Sequence, residues 1–366
     1  MNVNNATNVM HNIPNQVSLQ QARDAILALG TDTTIILRGQ PGIGKSWILK
    51  DLARALPDYV PAYIDCADLS LGDIAMPIVD RERRVTQFAP NERFKIYPGQ
   101  TRPVLLMLDE ITKPATDEIL NMLLPLMLER RLGDIPLPPG SIVFGTGNLA
   151  TDGVGDRFPA HAYNRVTELD VRNPEADEWV MWAAAHDVAP EVMAFVRENP
   201  QVCQRYDDPA AKDNPMIFNP LRGNTRSFVS PRSLHKASHI VAKRDVLGGS
   251  VRALLAGTIG EAAAAQMEAF VTMADALPRI SAIEADPTKA KLPETVGAYF
   301  LCALMLSTRI NAENADTFVT YVKRWDQFEA GMLFARTAAA SPAKLAFLAK
   351  NREFTKLTAD LGKYIG

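Results

Sequence analysis

The sequence predicts an α/β fold, in which a mostly parallel sheet covered by helices is followed by an all-helical region. Four short apolar runs have the length and composition of buried strands: 33–37, 61–66, 104–108 and 141–146. Helix-like segments at 44–56 and 115–131 separate them, which is the alternation of a parallel sheet. From about residue 172, Ala-, Leu- and Met-rich segments with helical spacing replace the strands.

Length and composition limit the class of protein. A chain of 366 residues suggests two or three domains, and 47% hydrophobic with 22% charged residues is typical of a globular protein. A net charge of -3 does not resemble that of a strongly basic nucleic-acid binder. The polar N-terminus lacks a signal peptide, and the longest apolar run, 296–306, is too short to cross a bilayer. We therefore expect a cytoplasmic protein with no membrane association.

Local signals predict where several elements begin and end. Ser18, with Gln21 three positions later, has the pattern of a helix N-terminal capping box, and Gly30 is expected to end that helix. Residues 72–100 carry many charges and turn formers, so we expect a loop or hairpin insertion there. Pro125 is expected to kink or break the helix at 115–131.

A glycine-rich turn follows the first predicted strand. It matches the eight-residue P-loop pattern in full: Gly39, Gln40, Pro41, Gly42, Ile43, Gly44, Lys45 and Ser46. Glycines let backbone N–H groups curl toward phosphate oxygens, and the following helix offers its positive end. In this pattern Lys45 reaches the β- and γ-phosphates, whereas the Ser46 hydroxyl binds Mg²⁺. The motif predicts a site for ATP and Mg²⁺ between a strand and a helix.

An acidic pair ends the third predicted strand. Asp109 and Glu110 follow an apolar run, and the carboxyl ends of parallel strands lie at the edge of the sheet where the P-loop begins. Asp109 is expected to hold Mg²⁺, because hard cations prefer oxygen ligands. Glu110 is expected to position and polarise the water that attacks the γ-phosphate.

With these motifs in order, the chain resembles an AAA+ ATPase, and more narrowly the MoxR-like branch. Residues 145–148 (GTGN) resemble the sensor 1 element, so Asn148 is implied to contact the attacking water or the γ-phosphate. Residues 160–165 resemble the arginine-finger segment, which implies that Arg165 acts on a neighbouring subunit's nucleotide. Arg157 is the alternative finger. Residues 230–232 (SPR) resemble sensor 2, which places Arg232 on a helical lid.

The resemblance implies a P-loop NTPase parallel sheet, the AAA+ core, with an all-helical lid and a helical C-terminal extension. We divide the chain accordingly into a flexible N-terminus (1–17), the nucleotide-binding core (18–172), the lid (173–245) and the C-terminal region (246–366). A finger supplied in trans implies a homo-oligomeric ring, a hexamer by resemblance.

Three functions remain open at this stage. The first is a MoxR-like ATPase that remodels a protein client, for which the resemblance implies a partner with a von Willebrand A domain. The second is a nucleic-acid or phage DNA-processing motor, which the overall charge does not favour. In that case residues 72–100 could contact nucleic acid through Arg81, Arg83, Arg84, Phe88 and Phe94, although a solvated insertion is the favoured interpretation. The third is a scaffold that assembles on ATP and barely hydrolyses it.

Overall fold

The computed structural model describes residues 16–113, 116–149, 158, 162, 164–222 and 226–362. The chain divides into two compact units, residues 1–173 and residues 174–366. The division of the second unit into a lid and a C-terminal region stays a prediction.

The first unit is built on a six-stranded parallel sheet. The strands of this unit are, in chain order, β1 (Gln16–Val17), β2 (Thr34–Arg38), β3 (Val60–Asp65), β4 (Ala75–Asp80), β5 (Val85–Pro90), β6 (Val104–Asp109), β7 (Arg131–Leu132), β8 (Ile135–Pro136), β9 (Ile142–Gly147) and β10 (Val166–Val171). The main sheet has the order β1-β10-β2-β9-β6-β3, with every pair parallel. The predicted α/β fold class is confirmed.

Both faces of the central strands β2, β6 and β9 are buried, because successive strand residues point to opposite sides. One hydrophobic cluster contains Ile36, Leu106, Leu108 and Val143. The other contains residues adjacent to these in sequence, namely Ile35, Leu37, Leu105, Met107, Ile142 and Phe144. The predicted runs at β2, β6 and β9 are therefore mostly apolar, as strands packed on both sides require. β3 differs, since Pro61 and Tyr63 are exposed.

Among the described residues of the first unit, three helices have defined bounds, α1 (Leu19–Leu29), α2 (Ile48–Ala55) and α3 (Asp117–Leu128), and a 3₁₀ turn at Lys45–Trp47 precedes α2. The capping box at the start of α1 is confirmed, since the Gln21 N–H donates to the Ser18 hydroxyl at 3.2 Å and the Ser18 N–H donates to Oε1 of Gln21 at 2.8 Å. The helix ends before Gly30 as predicted.

The helix predicted at 115–131 is shorter and is not broken at proline. Pro125 lies inside α3, which continues to Leu128. A proline lacks the N–H that would bond the carbonyl four residues back, and that carbonyl belongs to the exposed Asn121, where water can replace the bond. Residues 129–131 lie outside the helix because Arg130 adopts a positive φ of 55° and leads into the short β7–β8 hairpin.

Two strands of the main sheet were not predicted. The sequence indicates no strand at 166–171, and it predicts a flexible N-terminus that includes Gln16 and Val17. Here β10 pairs with β2 along five residues, and β1 pairs with β10 through Gln16 and Val17. The prediction of a flexible segment to residue 17 is therefore wrong for its last two residues, while residues 1–15 lie outside the described chain.

The 72–100 insertion contains an antiparallel hairpin formed by β4 and β5. Apolar side chains on this hairpin are unusually exposed: Met76, Ile78, Val79, Val85 and Phe88. Phe94, in the same insertion, is fully buried in the core. Of the two alternatives that the sequence left open, the structure has the hairpin.

The second unit is helical within its described residues. Its helices are α4 (Ala176–Ala185), α5 (Pro190–Glu198), α6 (Pro231–Ala242), α7 (Arg244–Leu247), α8 (Val251–Ile259), α9 (Glu261–Ala276), α10 (Ile280–Ala285), α11 (Val296–Arg309), α12 (Ala315–Val322), α13 (Phe328–Ala338), α14 (Pro342–Leu348) and α15 (Arg352–Gly362). Its largest hydrophobic cluster includes Trp179, Phe195, Phe318 and Phe334, and a smaller one contains Tyr299, Phe300 and Ala330. Over the described chain, none of the helices has both the length and the apolar character of a membrane span.

Candidate nucleotide-binding site

The predicted phosphate loop lies between β2 and the 3₁₀ turn that leads into α2. Gly42 and Gly44 have φ values of 81° and 112°, which glycine adopts at no steric cost. Gly39 has no room for a side chain, because a Cβ there would lie 2.6 Å from Cδ1 of Ile43 and 2.8 Å from the carbonyl oxygen of Val171. Pro41 is half-buried and Ile43 is buried. The loop therefore has the compact backbone that the motif requires.

Lys45 is held inside this loop. Its side chain is buried, and Nζ donates to the carbonyl oxygens of Gly39 at 2.7 Å and Gln40 at 3.0 Å. Nζ also lies 3.4 Å from Oδ1 of Asn148, at the end of β9. A buried ammonium group in contact with the P-loop and with the sensor 1 position could bind an anionic phosphate there.

Asp109, at the end of β6, is surrounded by hydroxyl groups. Its Oδ2 accepts from Ser46 Oγ at 3.1 Å and from Tyr63 OH at 2.7 Å, and its Oδ1 accepts a short hydrogen bond from Thr146 Oγ1. Ser46 and Asp109 thus bring a hydroxyl and a carboxylate together beside the P-loop. Mg²⁺ prefers such oxygen donors, so these residues fit the predicted metal site.

Glu110 follows Asp109 in an uncommon backbone conformation, with φ 56°. Its N–H donates to Thr146 Oγ1 at 3.2 Å. Nδ2 of Asn148 donates to both carboxylate oxygens of Glu110, at 3.2 and 3.3 Å, and Lys113 forms an ion pair with it at 3.3 Å. The side chain is thereby held at the same edge of the sheet as Lys45 and Asp109.

Negative charge is concentrated at this edge of the sheet. Burial raises the pKa of Asp65, and the neighbouring Asp68, Asp109 and Glu110 raise it further. Burial also raises the pKa of the Cys66 thiol well above its usual value, with Asp65, Asp109 and Glu110 contributing. Carboxylates that disfavour one another in this way create a negative field that a divalent cation would relieve.

The Thr146 hydroxyl forms hydrogen bonds with both acidic residues, and this leads to a stability prediction. Thr146→Val keeps the side-chain shape, but it removes a hydroxyl that serves both Asp109 Oδ1 and the Glu110 N–H. Because polar groups at a buried position would lose their partner, we expect the free energy of unfolding to fall by about 1–3 kcal/mol. Urea unfolding followed by circular dichroism measures this change.

A matched control is available on β10, where Thr167 is exposed. Thr167→Val should change the free energy of unfolding by no more than about 0.5 kcal/mol. Equal stability of the two variants would show that the Thr146 hydroxyl does not stabilise the acidic pair.

Of the three predicted arginines, only Arg165 can be placed relative to these residues, and it lies apart from them. Arg165 is exposed in the turn just before β10. It lies at the amino ends of the parallel strands, whereas the P-loop lies at their carboxyl ends. Arg157 lies outside the described residues. Arg232 is exposed in the second unit, at the second position of α6, where Ser230 caps the helix as the N-terminal residue of a capping box. The P-loop, the acidic pair and Asn148 are thus brought together within one unit.

Sequence reasoning missed two polar partners of the acidic pair. Tyr63 and Lys113 contact Asp109 and Glu110, respectively. The Lys113 contact had a local signal, since a lysine three residues after a glutamate can pair with it across one turn. Tyr63 had none, because it lies 46 positions from Asp109 in the sequence.

A parallel sheet with a P-loop after one strand and paired carboxylates after another is the architecture of a P-loop ATPase with an AAA+ type fold. Residues 34–137 match the family described as "AAA domain (dynein-related subfamily)". That segment includes the P-loop and both acidic residues.

Solved structures of low similarity include three chains. A proposed ATPase from Cytophaga hutchinsonii is 16% identical with a TM-score of 0.35, over 61% of this chain and 58% of that chain, less than two thirds of its length. NtrX from Brucella abortus is 12% identical with a TM-score of 0.32, over 70% and 68% of the two chains. A RuvB variant from Thermotoga maritima is 16% identical with a TM-score of 0.37, over 86% and 91%. No curated protein matches the chain.

Proposed function

We propose that this chain is a ring-forming AAA+ ATPase of the MoxR-like branch, which uses ATP hydrolysis to remodel or activate a partner protein. The position of Arg165 carries the ring assignment. β10 runs parallel to β2, with Val166 opposite Thr34 and Asp170 opposite Arg38. The P-loop follows the end of β2, whereas Arg165 precedes the start of β10. The start of β10 and the end of β2 are four residues apart along the strand direction. At about 3.3 Å per residue, this is about 13 Å.

An exposed arginine at this distance from its own P-loop is better placed to contact the nucleotide bound by a neighbouring subunit. Head-to-tail contacts that repeat and close produce a ring. In such a ring each nucleotide would be bound by one subunit and receive the guanidinium group of the next. The resemblance to MoxR-like proteins suggests six subunits and a partner with a von Willebrand A domain.

Within one subunit, the described residues account for the remaining steps. The P-loop backbone and Lys45 would bind the phosphates, and Ser46 with Asp109 would hold Mg²⁺, which neutralises the charge that develops in phosphoryl transfer. Glu110 would orient the attacking water and accept its proton. Asn148, which donates to Glu110, would keep that carboxylate in position. Arg232, which belongs to the second unit, would couple the position of that unit to the nucleotide state.

Mixed rings test whether Arg165 acts in trans. Arg165→Ala should hydrolyse little ATP alone, because an arginine finger contributes about 10³- to 10⁵-fold to turnover. Glu110→Gln should also hydrolyse little ATP alone, because its amide cannot accept the proton of the attacking water. In an equal mixture, about a quarter of the sites join an intact Glu110 to a neighbour with an intact Arg165, if subunits assemble at random in a ring. Steady-state phosphate release should therefore recover to a readily measured fraction of unmodified activity.

The control mixes Arg165→Ala with the double variant Glu110→Gln/Arg165→Ala, in which no subunit carries the finger. This mixture should stay inactive. If the first mixture also stays inactive while native mass spectrometry shows mixed rings, Arg165 is not a trans-acting finger, and Arg157 is the residue to substitute next.

A nucleic-acid motor is the second candidate, and the tip of the β4–β5 hairpin favours it. Arg81, Arg83 and Arg84 are all exposed there. Phe88 is 44% exposed and could stack on a base, but the buried Phe94 could not. Single- or double-stranded DNA should stimulate turnover if this candidate is right. A protein that oligomerises on ATP with no measurable turnover would instead be the assembly scaffold.

A further inference from the structure

Tyr63 is a polar contact of the predicted metal site that the P-loop and acidic-pair motifs do not include. It lies on β3, opposite Met107 of β6, and Asp109 is two residues further along β6. Because residues two apart on a strand point to the same face, Tyr63 and Asp109 share one side of the sheet. The phenol hydroxyl donates to Asp109 Oδ2 at 2.7 Å. That distance is typical of a hydrogen bond from a hydroxyl to a carboxylate.

The hydrogen bonds of Asp109 suggest what this contact does. Thr146 holds Oδ1, whereas Oδ2 receives both Ser46 and Tyr63. Ser46 belongs to the P-loop and is itself a predicted Mg²⁺ ligand, so its hydroxyl cannot be a fixed support for the carboxylate. Tyr63 is the donor to Oδ2 that comes from a regular strand.

Burial of apolar surface does not explain why a tyrosine occupies position 63. Its side chain is 49% exposed, although its neighbours on β3, Ala62 and Ile64, are buried in the core. The ring is thus half-exposed, and its hydroxyl donates to a buried carboxylate. The useful comparison is therefore phenylalanine, which keeps the ring and removes only that group.

We propose that Tyr63 is a positioning residue for Mg²⁺, which fixes the orientation of the Asp109 carboxylate through Oδ2 so that it can accept the cation with its water shell. This inference rests on the proposed function, because it assumes that Asp109 serves the metal of a bound nucleotide. Groups that orient a metal-binding side chain in this way typically contribute about 10- to 100-fold to metal affinity. Partial exposure of Tyr63 puts the expected effect at the lower end, about tenfold.

The test compares nucleotide binding with and without the metal. A fluorescent ADP analogue is titrated into unmodified protein and Tyr63→Phe, first in EDTA and then over a series of Mg²⁺ concentrations. Affinity in EDTA should agree within about twofold, because the P-loop contacts are unchanged. The Mg²⁺ concentration for half-maximal metal-dependent binding should rise about tenfold in the variant. Mn²⁺ bound to the protein–ADP complex, followed by electron paramagnetic resonance, should weaken by a similar factor.

Tyr97→Phe is the matched control. Tyr97 is also 49% exposed, and its side chain makes no hydrogen bond with the described residues. Its Mg²⁺ dependence should equal that of unmodified protein.

Three results would overturn the proposal in different ways. If Tyr63→Phe has an unchanged Mg²⁺ requirement while unmodified protein binds Mg²⁺–ADP normally, Tyr63 has no role in the metal site and the ATPase proposal stands. If affinity falls equally in EDTA and in Mg²⁺, the hydroxyl supports the fold of the loop rather than the metal. If unmodified protein shows no metal-dependent binding, the proposed function itself fails.

Discussion

Lys45→Ala should weaken ATP binding by at least about thirtyfold and abolish measurable hydrolysis. Its ammonium group is buried between the P-loop carbonyls and Asn148, so it would meet a phosphate with little competition from water. Removal of one partner from a buried, hydrogen-bonded charge pair typically costs about 2–5 kcal/mol. At about 1.4 kcal/mol per tenfold, this corresponds to a loss of affinity of about 1.4 to 3.6 orders of magnitude. Isothermal titration calorimetry with ATP and Mg²⁺ measures the change.

Lys50→Ala is the control for this experiment. Lys50 lies five residues further along on α2, where its exposed side chain covers the ring of Trp47 at 4.4 Å. It should bind ATP like unmodified protein. If Lys45→Ala retained normal ATP affinity, the P-loop would not be the nucleotide site of this chain.

Glu110→Gln should bind ATP nearly as well as unmodified protein and hydrolyse it at least about a hundredfold more slowly. Glutamine has a similar size, and its amide oxygen can still accept a hydrogen bond from Asn148. The backbone N–H of residue 110 keeps its bond to Thr146. The amide cannot accept a proton from the attacking water, so the loss falls on turnover. Phosphate release and nucleotide affinity are measured on the same preparation.

Glu92→Gln provides a close match for that substitution. Glu92 also precedes a lysine by three residues, with Lys95 Nζ at 3.9 Å, but its side chain is 87% exposed. Removal of a surface ion pair of this kind should leave turnover unchanged. A Glu110→Gln protein with the turnover of Glu92→Gln would exclude Glu110 from water activation.

Features encoded by neighbouring residues could be predicted from the sequence. The start of α1 depends on Ser18 and Gln21, three positions apart, and the structure has both hydrogen bonds of that capping box. The P-loop depends on glycines at fixed spacing, and two of them adopt positive φ as expected. β2, β6 and β9 were recognisable because each is buried on both faces and therefore has few polar residues. β3 was recognisable as a short run bounded by turn residues, although Pro61 and Tyr63 are exposed.

Features that depend on distant residues could not be predicted. β10 includes Thr167, Glu168 and Asp170, a polar composition that does not indicate a strand. It is a strand because β2 and β1 supply its hydrogen bonds on either side, and because Glu168 pairs with the buried Arg38 at 2.6 Å. The Tyr63 contact likewise requires β3 and β6 to be adjacent, which no local pattern specifies.

One planar amide, that of Asn148, joins the cation of the P-loop to the carboxylate that follows β6. Its oxygen faces Lys45 and its nitrogen faces Glu110. Since the two atoms rotate together about a single bond, the amide cannot turn to follow one neighbour without changing its distance to the other. An anion that displaced Lys45 should therefore also change the hydrogen bonds between Asn148 and Glu110.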